Sequence, residues 1–291
     1  MRHTFGCHGA KVAAWRGLVQ PLQDRMAKGE RFAADFGKTA EDYARYRAGY
    51  PDWLFERLMR RGLIRPGMRA LDLATGTGYL ARGLAQRGLV VTGLDTSAEM
   101  IAAAKALDAA QGLSIEYVIG KAEQSGLPAE SFDLVTAATC WHWFDRPKAS
   151  AEVLRLLKPG GWLVICSQDW LPAENPEGEG NIVARTEAIV RRHNPKWPWD
   201  GLDGLKPGFV RDLRAAGFRS IESFSVDYEI PYTHEGWRGR MRASAGISAS
   251  LPPVQVQAFD AELAAMLARE FPQQPMPVAH CVWVTFGRKS G

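Results

Sequence analysis

No apolar run in these 291 residues approaches the length that crosses a bilayer, so no membrane partner is expected. Cysteine is scarce. Cys7, Cys140, Cys166 and Cys281 lie far apart with no C-x-x-C pair, which argues against structural zinc or a disulfide framework. A reduced, cytoplasmic setting with no metal is the reading that follows. A strong charge bias is also missing. The formal net charge is +4, and Arg2, Lys11, Arg16 and Arg25 against Asp24 account for most of it within residues 1–25. The rest of the chain is close to neutral and offers no basic stripe, so nucleic acid is not an expected partner. Residues 1–25 hold no acid before Asp24 and no continuous apolar segment, so a secretory signal is not expected. They leave a disordered tail, a transit-type presequence or an upstream start with initiation at Met26; residues 1–30 are read as a flexible N-terminal tail.

What is present is organised around Ala70 to Tyr79, ALDLATGTGY. A short apolar run ends in small turn-forming residues, and Leu80, Ala81, Leu84 and Ala85 then recur at helical spacing until Gly88. That is strand, glycine loop, helix, with Gly76 and Gly78 allowing close backbone approach to a ligand. Asp72 is the unusual residue. At a pyrophosphate site a carboxylate there repels the ligand, whereas an ammonium or sulfonium is attracted. The loop favours S-adenosyl-L-methionine (SAM) over a nicotinamide dinucleotide, although GTGYLA also fits G-x-G-x-x-G/A.

Other segments follow in an alternating order. Thr39 with Asp42 suggests a capped helix carrying Tyr43 and Arg47 as i, i+4 neighbours, and Pro51 ends it. Trp53 to Arg61 reads as a second helix. LVVTGLD is a buried strand ending at Asp95, 19 positions after Gly76, the spacing at which a carboxylate accepts ribose hydroxyls. Thr96-Ser97 caps a helix from Ala98 to about Ala110. Strands at 114–120 and 131–139 follow, then the aromatic loop CWHWFDRP, a helix from Lys148 stopped by Lys158-Pro159-Gly160-Gly161, and the strand WLVICSQ. Later segments read as helices over 182–192, 208–216 and within 233–275, and as strands RSIESFSVDYEI and HCVWVTFGRK. The alternation predicts an α/β, doubly wound, Rossmann-like parallel sheet with ligands at the carboxyl ends of its strands. Residues 170–204 and 232–277 read as cap elements over that edge.

Read together, FGKTAEDYARYRAGYP, LDLATGTG, GLDTSAEM, GKAEQSGLP, SFDLV, WHWF and LKPGGWLVI resemble the class I SAM-dependent methyltransferases. More narrowly, the chain looks like their trans-aconitate methyltransferase-like, small-molecule branch. The resemblance covers residues 31–169 well and the remainder loosely. It implies a seven-stranded sheet, with 31–169 a SAM-binding core including N-terminal helices, and 170–291 supplying cap elements and the last strands. It implies that Asp72, Gly76 and Gly78 surround the methionine part of SAM, with Ala74 where the family usually has glycine. Asp95 would hold the ribose, Thr96 and Met100 would lie against the adenosine, and Ala122 and Glu123 beside the adenine. Many relatives carry Asp where this chain has Lys121. Thr139 would approach the methyl group, and Tyr43, Tyr46 and Arg47 would close the pocket.

The expected activity is methyl transfer to a small-molecule acceptor, at a carboxylate or hydroxyl oxygen, with S-adenosyl-L-homocysteine (SAH) as product. The alternatives are an NAD(P)-dependent oxidoreductase on a Rossmann fold, and a SAM-binding protein acting on a macromolecule. His142 is the candidate base or orienting group, set against a role in fixing its loop. Trp141, Trp143, Trp170, Trp197 and Trp199 are candidates for an apolar substrate wall or for cap core. Arg238, Arg240 and Arg242 are candidates for clamping a carboxylate or for a solvated face; Arg240 and Tyr46 are taken as substrate contacts. Cys140 sits where cytosine-C5 methyltransferases keep a nucleophile but lacks their preceding proline. The D/N-P-P-Y loop of base-amino methylation is absent. A monomer or homodimer is expected.

Overall fold

The computed structural model describes residues 34–171, 181–197 and 204–291. The N-terminal tail, Trp199 and part of the first cap segment lie outside them.

Each glycine-loop element forms where hydrophobic spacing requires it. Strand β1 (Arg69–Leu73) runs through the loop into helix α3 (Tyr79–Ala85), and β2 (Val90–Asp95) returns parallel to β1. Helix α4 (Ala98–Ala110) starts where Ser97 accepts the Met100 N–H. Strands β3 (Glu116–Ile119) and β4 (Phe132–Ala138) pair parallel with β2 and β1. Helix α5 (Arg146–Leu156) leads into β5 (Leu157–Trp170), parallel to β4. Before this core come α1 (Ala40–Tyr46) and α2 (Asp52–Arg60). Thr39 makes no side-chain cap on α1; its hydroxyl bonds back to the Phe36 carbonyl, and Asp35 instead caps the short 3-10 turn ahead of it.

The second half adds α6 (Ile182–His193), α7 (Pro207–Ala216), β6 (Arg219–Tyr232), α8 (His234–Arg242), α9 (Pro253–Glu270) and β7 (Met276–Arg288). The result is one seven-stranded sheet in the order β3-β2-β1-β4-β5-β7-β6, with β7 antiparallel to both neighbours. The KPGG segment was expected to be a stop between helix and strand. It lies instead within β5, because Gly160 donates to the Lys289 carbonyl and Lys289 donates to that of Gly161, extending the pairing beyond β7.

Strand alternation sorts the core into two layers. Ala70, Leu134, Val164 and Cys166 face α2 and α3, with Leu54, Phe55 and Leu84. Leu71, Val135, Leu163 and Ile165 face α5 and α7, with Val153, Phe209 and Leu213. A third cluster joins α6, α8 and α9 through Trp237, Ile247, Phe259 and Leu263, against Met276 and Val278 at the start of β7. Because β1 has β2 on one side and β4 on the other, the chain changes winding direction between β1 and β4, and the carboxyl ends of these strands open onto the glycine loop.

Candidate active site

Asp72 lies one residue before the end of β1 and is 1% exposed. It accepts the Thr75 and Thr136 hydroxyls, both at 2.7 Å, and its charged form is also favoured by the Ala81 N–H in the first turn of α3. The helix terminus that would otherwise receive a phosphate is therefore already engaged by a carboxylate of the chain. Burial nevertheless dominates, and pushes the Asp72 carboxyl up to about 6. The folded state thus holds its proton more tightly than the unfolded chain does. The stabilisation is fully present below the carboxyl's unfolded value and is lost as pH rises through about 6. Replacing Asp72 with Asn is expected to stabilise the protein at pH 8 by up to about 3 kcal/mol, the difference vanishing near pH 4 in denaturant titrations.

The loop glycines divide in role. Gly76 (φ +56°) would place an added Cβ in nearly open space, 3.9 Å from Tyr43. Its backbone therefore borders open space. At Gly78 (φ +78°) an added Cβ would lie 2.6 Å from the Tyr117 hydroxyl and 2.9 Å from Arg82 Nη1. Glycine there is called for by the protein's own packing and by the left-handed backbone. Ala74 and Thr139, at adjacent strand ends, have φ of +47° and +56°. Left-handed backbone at residues with a Cβ is strained, and strain of this kind gathers at functional sites. Ala74→Gly is expected to raise stability by about 1 kcal/mol, read as a higher melting temperature.

Asp95 ends β2 and is 8% exposed. Its two oxygens accept the N–H groups of Gly76 (2.8 Å) and Ser97 (2.9 Å), which fixes the carboxylate while leaving each oxygen further acceptor capacity. Met100 and Ala122 are buried beside this end of the sheet. Thr96 is exposed, and capping falls to Ser97 alone. Glu123 accepts the Asp145 N–H at 2.8 Å, tying the loop after β3 to the start of α5. The Thr139 hydroxyl bonds Tyr50 at 2.8 Å, and its N–H donates to the Cys166 carbonyl.

The N-terminal residues reach over the loop. Arg47 lies just past the end of α1, yet its guanidinium sits 4.8 Å from the Tyr43 ring centroid. Tyr79 donates to the Ala44 carbonyl and so ties α1 to α3. Tyr46 goes elsewhere. Its ring occupies the seam between α1 and α8, against Gly239, which has no room for a Cβ. Trp141 is likewise no pocket wall: it is 1% exposed and donates to Asp212 of α7 at 3.1 Å. Trp143 packs edge-on against Phe36, 5.5 Å between centroids, and lies beside His142. Burial pushes the His142 imidazole down to about 4, so it is neutral at physiological pH.

Sequence reading named Trp170 but missed the residues of β5, β6 and β7 that surround it. Gln168 bonds Tyr228 and the Gly49 carbonyl. Tyr228 and Trp170 are both register partners of His280, and the Tyr232 ring stacks on that histidine at 5.9 Å. The available signal was the two-residue alternation of these aromatic and polar positions, visible once the antiparallel pairing is known.

Comparison with known proteins gives the family. Residues 71–165 match the family model described as "Methyltransferase domain". An uncharacterised methyltransferase of Mycobacterium bovis is 38% identical over 209 residues, covering 65% of this chain and 78% of the relative. A malonyl-[acyl-carrier protein] O-methyltransferase of Serratia marcescens is 35% identical over 46% of this chain and 51% of its own. Among solved structures, phosphoethanolamine N-methyltransferase 2 of Haemonchus contortus, complexed with phosphomonomethylethanolamine and SAH, shares the fold. Its TM-score is 0.51 at 20% identity, over 87% of this chain and 57% of that one. The glycine loop closed from below by Asp72, the ordered Asp95 and these relatives lead to one assignment: the chain belongs to the class I SAM-dependent methyltransferase family.

Proposed function

We propose that this protein transfers a methyl group from SAM to an oxygen of a small-molecule acceptor. The observation that carries the cofactor half is Asp95, aligned by two backbone amides at the end of β2 and adjoining the open face of Gly76. That carboxylate suits two ribose hydroxyls, and Met100, Ala122 and Glu123 extend from it along the side where an adenine would lie. Ala74, Gly76 and Thr139 would border the methionine portion, Asp72 would contribute its charge from beneath the loop, and Tyr43 and Arg47 would cover it. Residues 31–169 would then hold the cofactor, and 170–291 would complete the sheet and shape the acceptor side.

When bound, SAM supplies a methyl carbon whose bond to sulfur breaks as an acceptor oxygen bonds to it. The chain's task is alignment and exclusion of water. His142, with a pKa near 4, is a weak base and suits orienting an acceptor better than deprotonating a hydroxyl. An acceptor oxygen that is already ionised, a carboxylate, meets this site without a proton transfer. Two relatives are O-methyltransferases by name, the Serratia protein and a nocamycin O-methyltransferase of Saccharothrix syringae at 32% identity, and they support an oxygen target.

The test is a thermal-shift comparison with SAM, SAH, NAD and NADP, followed by methyl-transfer assays on a panel of carboxylic acids and alcohols. A ligand at 100 times its Kd adds about 2.7 kcal/mol to stability. Shifts with SAM and SAH alone, and ester formation on an acid, are expected. A shift with NAD or NADP instead would return the site to oxidoreductase chemistry.

A further inference from the structure

Helix α8 carries arginines at three alternate positions, and the fold uses them in two ways. Arg238 and Arg242, four apart, share one face. Both are ion-paired there: Arg238 with Asp260 and Glu235, Arg242 with Asp42, Glu235 and Asp260. Arg240 points the other way, into the protein, and is 6% exposed. Its guanidinium sits 4.8 Å from the Trp170 ring centroid at the end of β5.

Among the described residues, Arg240 lacks the partner that burial demands. Its Nη1 is shut off from solvent and makes no hydrogen bond, and among the described residues no carboxylate oxygen lies within 4 Å of the group. The neighbouring Tyr232 hydroxyl is also buried and makes no hydrogen bond of normal geometry among the described residues, its polar interaction being a loose one with Arg240 itself. Arg47 is close enough for its charge to help push the Arg240 pKa down, although burial is the larger cause, and it too has no ion pair among the described residues. Asp169, the carboxylate felt by this cluster, is held by Lys206 at 3.0 Å. Two guanidinium groups and a phenol therefore face one region, and its carboxylate is already neutralised. Buried donors are satisfied as a rule, and an unpaired buried cation is among the costliest groups a fold can retain. A guanidinium stacked on an indole keeps its N–H edge free for a two-point grip on a planar anion.

We propose that Arg240, with Arg47 and Tyr232 beside it, anchors an anionic group of the methyl acceptor, a carboxylate or a phosphate monoester. This rests on the methyl-transfer reading above and adds to it the feature by which the acceptor is chosen. A neutral alcohol leaves Arg240 unpaired. An organic acid satisfies it.

The full chain, saturated with SAH, is titrated by calorimetry with succinate, tricarballylate and phenyl phosphate. At least one of these binds, and Arg240→Gln weakens that binding by about 30-fold while leaving SAH affinity within about 3-fold. Arg240→Lys keeps the charge, loses the planar fork and falls between the two. Arg238→Gln leaves anion binding unchanged. Without ligand, Arg240→Gln melts higher than the parent, because an unpaired buried charge has been removed. Tighter binding of the carboxylates identifies an organic acid, and tighter binding of phenyl phosphate a phosphate monoester. Absence of binding by all three probes overturns the proposal. So does an Arg240→Gln protein that melts lower and keeps its anion affinity, since that outcome pairs Arg240 with an acid of its own chain. Failure of SAH to bind the parent protein overturns instead the methyl-transfer reading.

Discussion

Asp108→Ala is expected to cost about 3–5 kcal/mol of stability and to lower the melting temperature by about 10 °C. Asp108 lies on α4 and bonds Arg82 of α3 at 3.1 Å, with both side chains about 5% exposed or less. The same Arg82 nitrogen donates to the Thr77 carbonyl in the glycine loop at 2.6 Å. Removing the carboxylate strands a guanidinium between two helices, where water cannot reach it. Removing both charges is a different experiment. The double variant Arg82→Met, Asp108→Leu is expected to lie within about 1 kcal/mol of the parent, because well-packed apolar groups often replace a buried ion pair without loss. Urea unfolding of Arg82→Met, Asp108→Leu and the double variant, each against the parent, gives the coupling directly. A mild loss in Asp108→Ala would mean that Arg82 finds another acceptor or reaches solvent.

The second large effect is on binding. Asp95→Ala is expected to weaken SAH by at least about 100-fold, since hydrogen bonds to a charged group are worth roughly 1.5–3 kcal/mol each and two are at stake. Part of the loss is indirect: the Gly76 and Ser97 amides lose the acceptor that orders them. Asp95→Asn, which keeps one carbonyl oxygen, is expected to fall between the two. Calorimetry with SAH checks both. Undiminished affinity in the alanine variant would remove Asp95 from the cofactor site.

The elements with local causes were legible in the sequence. Helix α4 has the bounds expected of it, because its cap, Ser97, and its apolar spacing lie within the same short window. The nearness of Asp95 to Gly76 was legible because one strand-helix-strand passage fixes it. Features set by remote partners were not. Nothing near Gly78 discloses Tyr117, whose hydroxyl excludes any side chain there. Trp141 could have faced a ligand until Asp212, on a helix 71 residues later, drew its indole into the core. Of three alternating arginines the sequence reading took Arg240 as the substrate contact, but nothing local sets it apart, because the acids that claim Arg242 lie as much as 200 residues away. Helix geometry predicts that one differs from the other two; only the fold says which faces inward.

The position of β7 bears on how the sheet is assembled. Strands β1 to β5 are joined by short crossovers and can add one after another as the chain emerges. Strand β6 touches the sheet only through β7, and β7 lies between it and β5. The long open edge of β5 therefore stays unpaired until residues 276–288 have left the ribosome. The α8–α9 segment must then fold back so that the β6–β7 pair can slot against it. Contacts of such large sequence separation form late and leave an adhesive edge exposed meanwhile. The same closing movement brings Tyr232 and His280 alongside Trp170, so the region proposed to hold the acceptor is the last to be assembled.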